Sequence, residues 1–206
     1  MQKIDYKKEL KHLYKTSVKQ VEMVEVPAMN FLMIDGQGEP NTSQDFSDAV
    51  EALYATAYTL KFIIKKWAQQ LYYGVIPLEG LWWVDDMSQF DINDKSSWYW
   101  TTMIMQPECI TEDLVVQACE QVAIKKSLLA LPKLRFAPFL CRGHLRPDYH
   151  RGPFSEEGPT IQRVHNFISE NGYTRQGKHH EIYLSDIRRA APENWKTVIR
   201  QPMCKG

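Results

Sequence analysis

Glu181 and Tyr183 stand two residues apart in the run HHEIY, and on a strand side chains two apart point to one face. Three readings fit such a pair. On a solvated edge strand the glutamate merely faces water. Ionised among aromatic rings, it attracts a cation that the rings also favour. Desolvated, so that its pKa rises, it can deliver a proton or activate a water. Rings are plentiful, at 12% Phe, Trp and Tyr, clustered as Tyr72-Tyr73, Trp82-Trp83 and Trp98-Tyr99-Trp100. Neighbouring strand residues face opposite ways, so a Trp-Trp pair needs large apolar surroundings on both sides, a core and a cavity wall.

Tyr54, Tyr58 and Phe62 recur at helical spacing and make one stripe, which can face either a core or a cleft. Trp98 and Trp100 share a strand face opposite Tyr99. His179 and His180 are adjacent and diverge on a strand, and His144 and His150 lack a third partner, so no metal site is expected. HExxH, GxSxG and P-loop patterns are absent, and Gly36-Gln37-Gly38 is a turn rather than a dinucleotide fingerprint; no cofactor is expected.

The elements that carry these residues recur in the chain. WTTMIMQP (residues 100–107) and WKTVIRQP (195–202) agree at five of eight positions, and both end on a strand-closing proline. Upstream, LWWVDD (81–86) aligns with EIYLSD (181–186), setting Trp83 against Tyr183 and Leu81 against Glu181. The first copy's connection over residues 87–99 is five residues longer and suits a loop over a pocket. Each copy has a strand and helix ahead of this hairpin: MNFLMIDG (29–36), then apolar residues from Phe46 to Trp67 at helical spacing with Ser43 or Asn41 as cap; later, extended segments over 139–150, a turn, and a helix ending at Asn171-Gly172. Thr111 caps a separate helix over 111–127. The expected fold is α+β: one domain over 1–206, a duplicated β-α-β-β pseudo-dimer with a mostly antiparallel curved sheet. Its first repeat covers about 20–107, its linking helix about 111–127 and its second repeat about 136–204.

Composition limits the function. Twenty-five Lys plus Arg balance twenty-five Asp plus Glu, giving no basic footprint for nucleic acid. No apolar run is long enough to span a bilayer or direct secretion, so no membrane partner is expected. Cys109, Cys119, Cys141 and Cys204 lack CxxC spacing and suit reduced thiols; the expected location is cytoplasmic.

VPAMNFLMIDGQGEPN (26–41), GPFSEEGPTIQRVHNFI (152–168) and KHHEIYLSDIRRAAPENWKTVIRQP (178–202) resemble the GyrI-like small-molecule-binding family, related to the drug-binding domains of multidrug-responsive regulators. The resemblance, over roughly 20–206, implies a ligand cleft between the halves, with the Glu-x-Tyr motif on Glu181 and Tyr183. Lacking a DNA-binding segment and rich in aromatics, the chain is similar to stand-alone members that hydrolyse the cyclopropane of spirocyclopropane DNA-alkylating antibiotics of the yatakemycin type. That resemblance implies a planar aromatic ligand. The chemistry of ring opening then has Glu181 orient a water, and the repeat, strand alternation and helical spacing add Trp83, Tyr54, Tyr58, Phe62, Trp98 and Trp100 to Tyr183 as the expected aromatic wall. Binding without turnover, or inhibition of another protein, are the alternatives.

Overall fold

The computed structural model describes residues 2–14, 24, 26–66, 71–91, 94–139, 144–186 and 189–205; Trp67 and Cys141 lie outside them. An N-terminal strand β1 (Gln2–Ile4) and two short helices, α1 (Tyr6–Glu9) and α2 (Lys11–Tyr14), precede the first half. That half comprises β2 (Met29–Gln37), α3 (Gln44–Lys66), β3 (Leu71–Tyr73), β4 (Leu78–Trp83) and β5 (Tyr99–Gln106). Helix α4 (Glu112–Lys125) and strand β6 (Arg135–Phe139) lead to the second half: β7 (His144–Arg151), α5 (Gly158–Glu170), β8 (Tyr173–Arg175), β9 (His179–Tyr183) and β10 (Lys196–Lys205).

Local chemistry sets the helix ends. Ser43 rather than Asn41 caps α3, accepting from the Phe46 amide at 3.3 Å, and Thr111 caps α4, accepting from Leu114 at 3.4 Å. Each such cap contributes about 1 kcal/mol. Helix α5 ends at Asn171, followed by Gly172 with φ 75°, a left-handed turn that favours glycine.

The fold is α+β, with an eight-stranded antiparallel curved sheet ordered β6-β2-β5-β4-β9-β10-β7, β8 adding to β10. The order is symmetric about the β4–β9 seam: outward run the hairpin partners β5 and β10, then β2 and β7, which precede each half's helix. Strand β6 pairs with the far edge of β2, so the second half's leading strand is β7 rather than the whole stretch from 136 onward. Strands β1 and β3 form a separate parallel pair.

Seam register decides which side chains share a face. Gly80 pairs with Glu181, Trp82 with His179 and Leu78 with Tyr183, so these six lie on one face. Glu79, Leu81 and Trp83 lie on the other, with His180 and Ile182. Helices α3 and α5 pack against the first face. Ala49, Leu53, Leu60 and Ile64 of α3 enter the main core, and Ile161, Val164 and Ile168 of α5 close on Ile199 and Met203 in a smaller cluster. The back face is covered by the N-terminal segment, where Leu13 and Tyr14 are buried.

Candidate functional site

Between α3, the sheet seam and the turn before α5 lies a cleft of about 960 Å³. A second stripe on α3 faces it: Phe46, Val50, Tyr54 and Tyr58, spaced four apart beside the core stripe. Trp82 and Leu78 come from β4, Glu181 and Tyr183 from β9, and Trp98 with Lys95 from the β4–β5 connection; Phe154 and Trp195 complete the far wall. The walls are stacked rings. On one side Phe46–Trp82 and Trp82–Trp98 centroids lie 5.6 Å apart, and Phe90 stacks on Trp98 at 4.5 Å. On the other, Phe154 meets Trp195 at 4.7 Å and Tyr183 edge-on at 5.4 Å.

The two walls are fixed alike. The Gly38 amide donates to the Trp98 carbonyl and the Gly152 amide to the Trp195 carbonyl, both glycines having positive φ. Each indole N–H then donates to a carbonyl of its own loop, Asp91 at 3.1 Å and Ala190 at 2.8 Å. Trp98, not Trp100, therefore stands where Trp195 stands. Counted along the ladders, Trp82 corresponds to Tyr183, and Gly80 to Glu181.

Between the walls, Glu181 is held by its own strand. His179 Nε2 lies 3.0 Å from one carboxylate oxygen, and the Tyr183 hydroxyl donates to the other at 2.8 Å. A carboxylate only accepts, so the His179 Nε2–H tautomer is the donor. Gly80 opposite is what admits Trp82: a Cβ there would meet the indole nitrogen at 2.8 Å. Burial works against the Glu181 charge, but the His179 contact, the Tyr183 hydroxyl and nearby Lys95 outweigh it and hold the carboxyl below its usual range. Burial, then the charges of Glu181 and Glu157, push the Tyr183 hydroxyl well up, so it remains a donor.

A second carboxyl feels the charge of this one. Glu157, 2% exposed at the start of α5, has one carboxyl oxygen buried without a hydrogen-bond partner. Burial and then the Glu181 charge push it up to about 9. At neutral pH the pair thus holds one proton, on Glu157, leaving Glu181 as acceptor; two carboxyls driven apart in this way can serve as acid and base. In sequence Glu157 sits in SEEGP, which has the composition of a solvated turn, and nothing there signals burial.

Glu181, Tyr183, Tyr54, Tyr58 and Trp98 share the cleft. Three other expected wall residues lie elsewhere. Trp83 is on the back face, stacked on Tyr99 at 5.9 Å with the Lys178 ammonium 3.1 Å from its ring centroid; its neighbour Trp82 has the cleft position because the seam register selects even-numbered β4 residues. Trp100 is buried beneath Phe46, its ring filling the space a side chain at residue 36 would need. Phe62, one turn beyond Tyr58, is 53% exposed and borders a shallow groove against α4. Phe46, Phe154 and Trp195 join the wall unanticipated. Among the described residues, no group of three or more His, Cys, Asp and Glu could hold a metal, and no helix is long and apolar enough to cross a membrane.

Two crystal structures of hydrolases from Listeria innocua resemble the chain, at 38% identity and TM-score 0.86, and 36% and 0.82, each match covering 98% of this chain and all of the other. An uncharacterized conserved protein from Listeria innocua matches at 39% identity and TM-score 0.88 over the same shares. A comparison with curated proteins finds no match. Residues 19–203 match the GyrI-like small molecule binding domain. With a fold symmetric about one seam and a cleft built across it, the chain belongs to the GyrI-like small-molecule-binding family.

Proposed function

We propose that the cleft binds planar fused-ring compounds and hydrolyses the cyclopropane of spirocyclopropane DNA-alkylating antibiotics, protecting the cell that makes the protein. The observation that carries this reading is an ionised Glu181, fixed by His179 and Tyr183, on the floor of an aromatic cleft large enough for fused rings. The Listeria proteins described as hydrolases, similar over their whole length, support turnover rather than binding alone.

The ring walls hold the ligand by stacking, losing few rotamers in doing so. Glu181 accepts a proton from a water whose oxygen attacks the ring methylene. The carbon–carbon bond of the cyclopropane breaks, and its electron pair moves through the conjugated system to the carbonyl oxygen, which becomes a phenolate. The proton on Glu181 passes to solvent and the phenolate takes one up, so the net change is addition of one water. Glu157, already protonated, keeps the charge at Glu181 single. Mass spectrometry of a spirocyclopropyl dienone after incubation tests the reading: the ligand gains one water, at a rate set by the protein. A ligand that binds and is recovered unchanged would leave only sequestration.

A further inference from the structure

The charged groups around the cleft are unequally committed. At the rim Lys126 pairs with Glu51 at 2.8 Å, while Asp186 is near Arg189 at 3.6 Å. Lys95 lines the cleft yet forms no ion pair among the described residues; its ammonium lies 5.2 Å from the Trp98 ring centroid. Its charge reaches both Glu181 and Glu157.

Its position is built. Asp94 accepts from the Ser96 amide at 3.1 Å and the Ser96 hydroxyl at 2.6 Å, a local turn of the kind that aspartate favours. The Lys95 carbonyl accepts from the Trp98 amide, and Trp98 is itself pinned by Asp91 and Phe90. Lys125, at the exposed C-terminal end of α4, also lines the cleft without an ion pair among the described residues. Of the two, only Lys95 lies over a wall ring and adds its charge to the field at Glu181, so positive charge stands beside one wall and negative charge at Glu181.

We propose that Lys95 sets the ligand class of this cleft: it favours neutral planar compounds bearing a carbonyl over planar cations, and holds the oxygen on which negative charge collects as the ring opens. This rests on the hydrolytic reading for its second clause only. A cation over Trp98 would meet the ammonium there, whereas a carbonyl, and more so a phenolate, is drawn to it. The lysine transfers no proton in this role, so its contribution is electrostatic.

Titrations of tryptophan fluorescence with acridone and N-methylacridinium, matched in shape and differing in charge, test the first clause without any turnover. The full chain is expected to prefer acridone. Lys95→Met keeps the apolar stem over Trp98 and should shift the ratio of the two affinities toward the cation by about tenfold or more; Lys95→Arg should keep the original preference. On the spirocyclopropyl dienone, Lys95→Met should lower kcat more than it raises KM, because charge on the oxygen is greatest in the transition state. Lys95 sits on a surface turn, so unchanged circular dichroism and melting of the variant separate a charge effect from misfolding. An affinity ratio and kcat both unmoved by Lys95→Met overturn the proposal while leaving hydrolysis intact. A shifted ratio in a protein that adds no water supports the selection by Lys95 and removes the hydrolytic reading instead.

Discussion

The β4–β9 seam carries the same trio of side chains on each face. In the cleft, Glu181 is held by His179 and Tyr183; on the back, Glu79 lies 2.8 Å from His180 Nε2 and accepts from the Tyr14 hydroxyl at 2.8 Å. The bonding is alike and the assembly is not. All three cleft residues alternate along one strand, so the trio forms wherever β9 forms and keeps one side open. The back trio joins β9 to β4 and to the N-terminal segment, where Arg200 also donates to the Leu13 carbonyl. Glu79 is 1% exposed and Glu181 6%. A local trio leaves its carboxylate lining the cleft; a non-local one consumes it in fastening a distant segment to the sheet.

Alanine at each glutamate should separate the two most sharply. Losing one member of a closed buried set costs about 3–5 kcal/mol, so Glu79→Ala should lower the denaturant midpoint severely. Glu181→Ala should cost about 1 kcal/mol, since water from the cleft can reach the vacated partners. Equal losses at both sites would erase the distinction.

Turnover should show the reverse order. Glu181→Gln is expected to slow water addition roughly 100-fold or more. Glu79→Gln, assayed on its folded fraction, should keep the rate; a comparable fall there would mean the back trio reaches the chemistry.

The pair Glu157 and Glu181 gives the cleft face a pH signature. The folded state holds the Glu157 proton to about pH 9, whereas an unfolded chain releases it near 4.5. The folded state thus binds the extra proton between those values, and stability falls as pH rises through that window, by up to about 1.4 kcal/mol per unit. Glu157→Gln should flatten that fall in urea titrations across pH; an unchanged slope would deny the protonated carboxyl. The smallest contrast is between the adjacent tryptophans. Trp82→Ala should weaken acridone binding by about tenfold, as one stacked ring contributes on the order of 1 kcal/mol beyond its area, and Trp83→Ala should not change it.

Much of this was legible in the residues. The helical stripe from Phe46 to Ile64, the Ser43 and Thr111 caps and the alternating strands all carry local signals, and the structure follows them. What failed depended on pairing at long range. Alternation says that Trp82 and Trp83 face opposite ways, and only the ladder to β9 says which enters the cleft. Aligning identical residues set Leu81 against Glu181, yet those two lie on opposite faces. Glu157 was hidden because burial of a turn depends on what folds over it. The N-terminal segment, rich in charge, gave no hint that Leu13 and Tyr14 would close the back of the sheet.

The residue facing Glu181 across the seam is Gly80. Were two identical chains to meet along this seam, whatever stood at one position would stand at the other. An acid there would confront its own copy at about 5 Å, where like charges oppose each other; a glycine would leave no acid at all. Joining both halves in one polypeptide frees the two sides to differ. One can then carry the charge while the other makes room for an indole, and the site acquires a handedness that a symmetric dimer is denied.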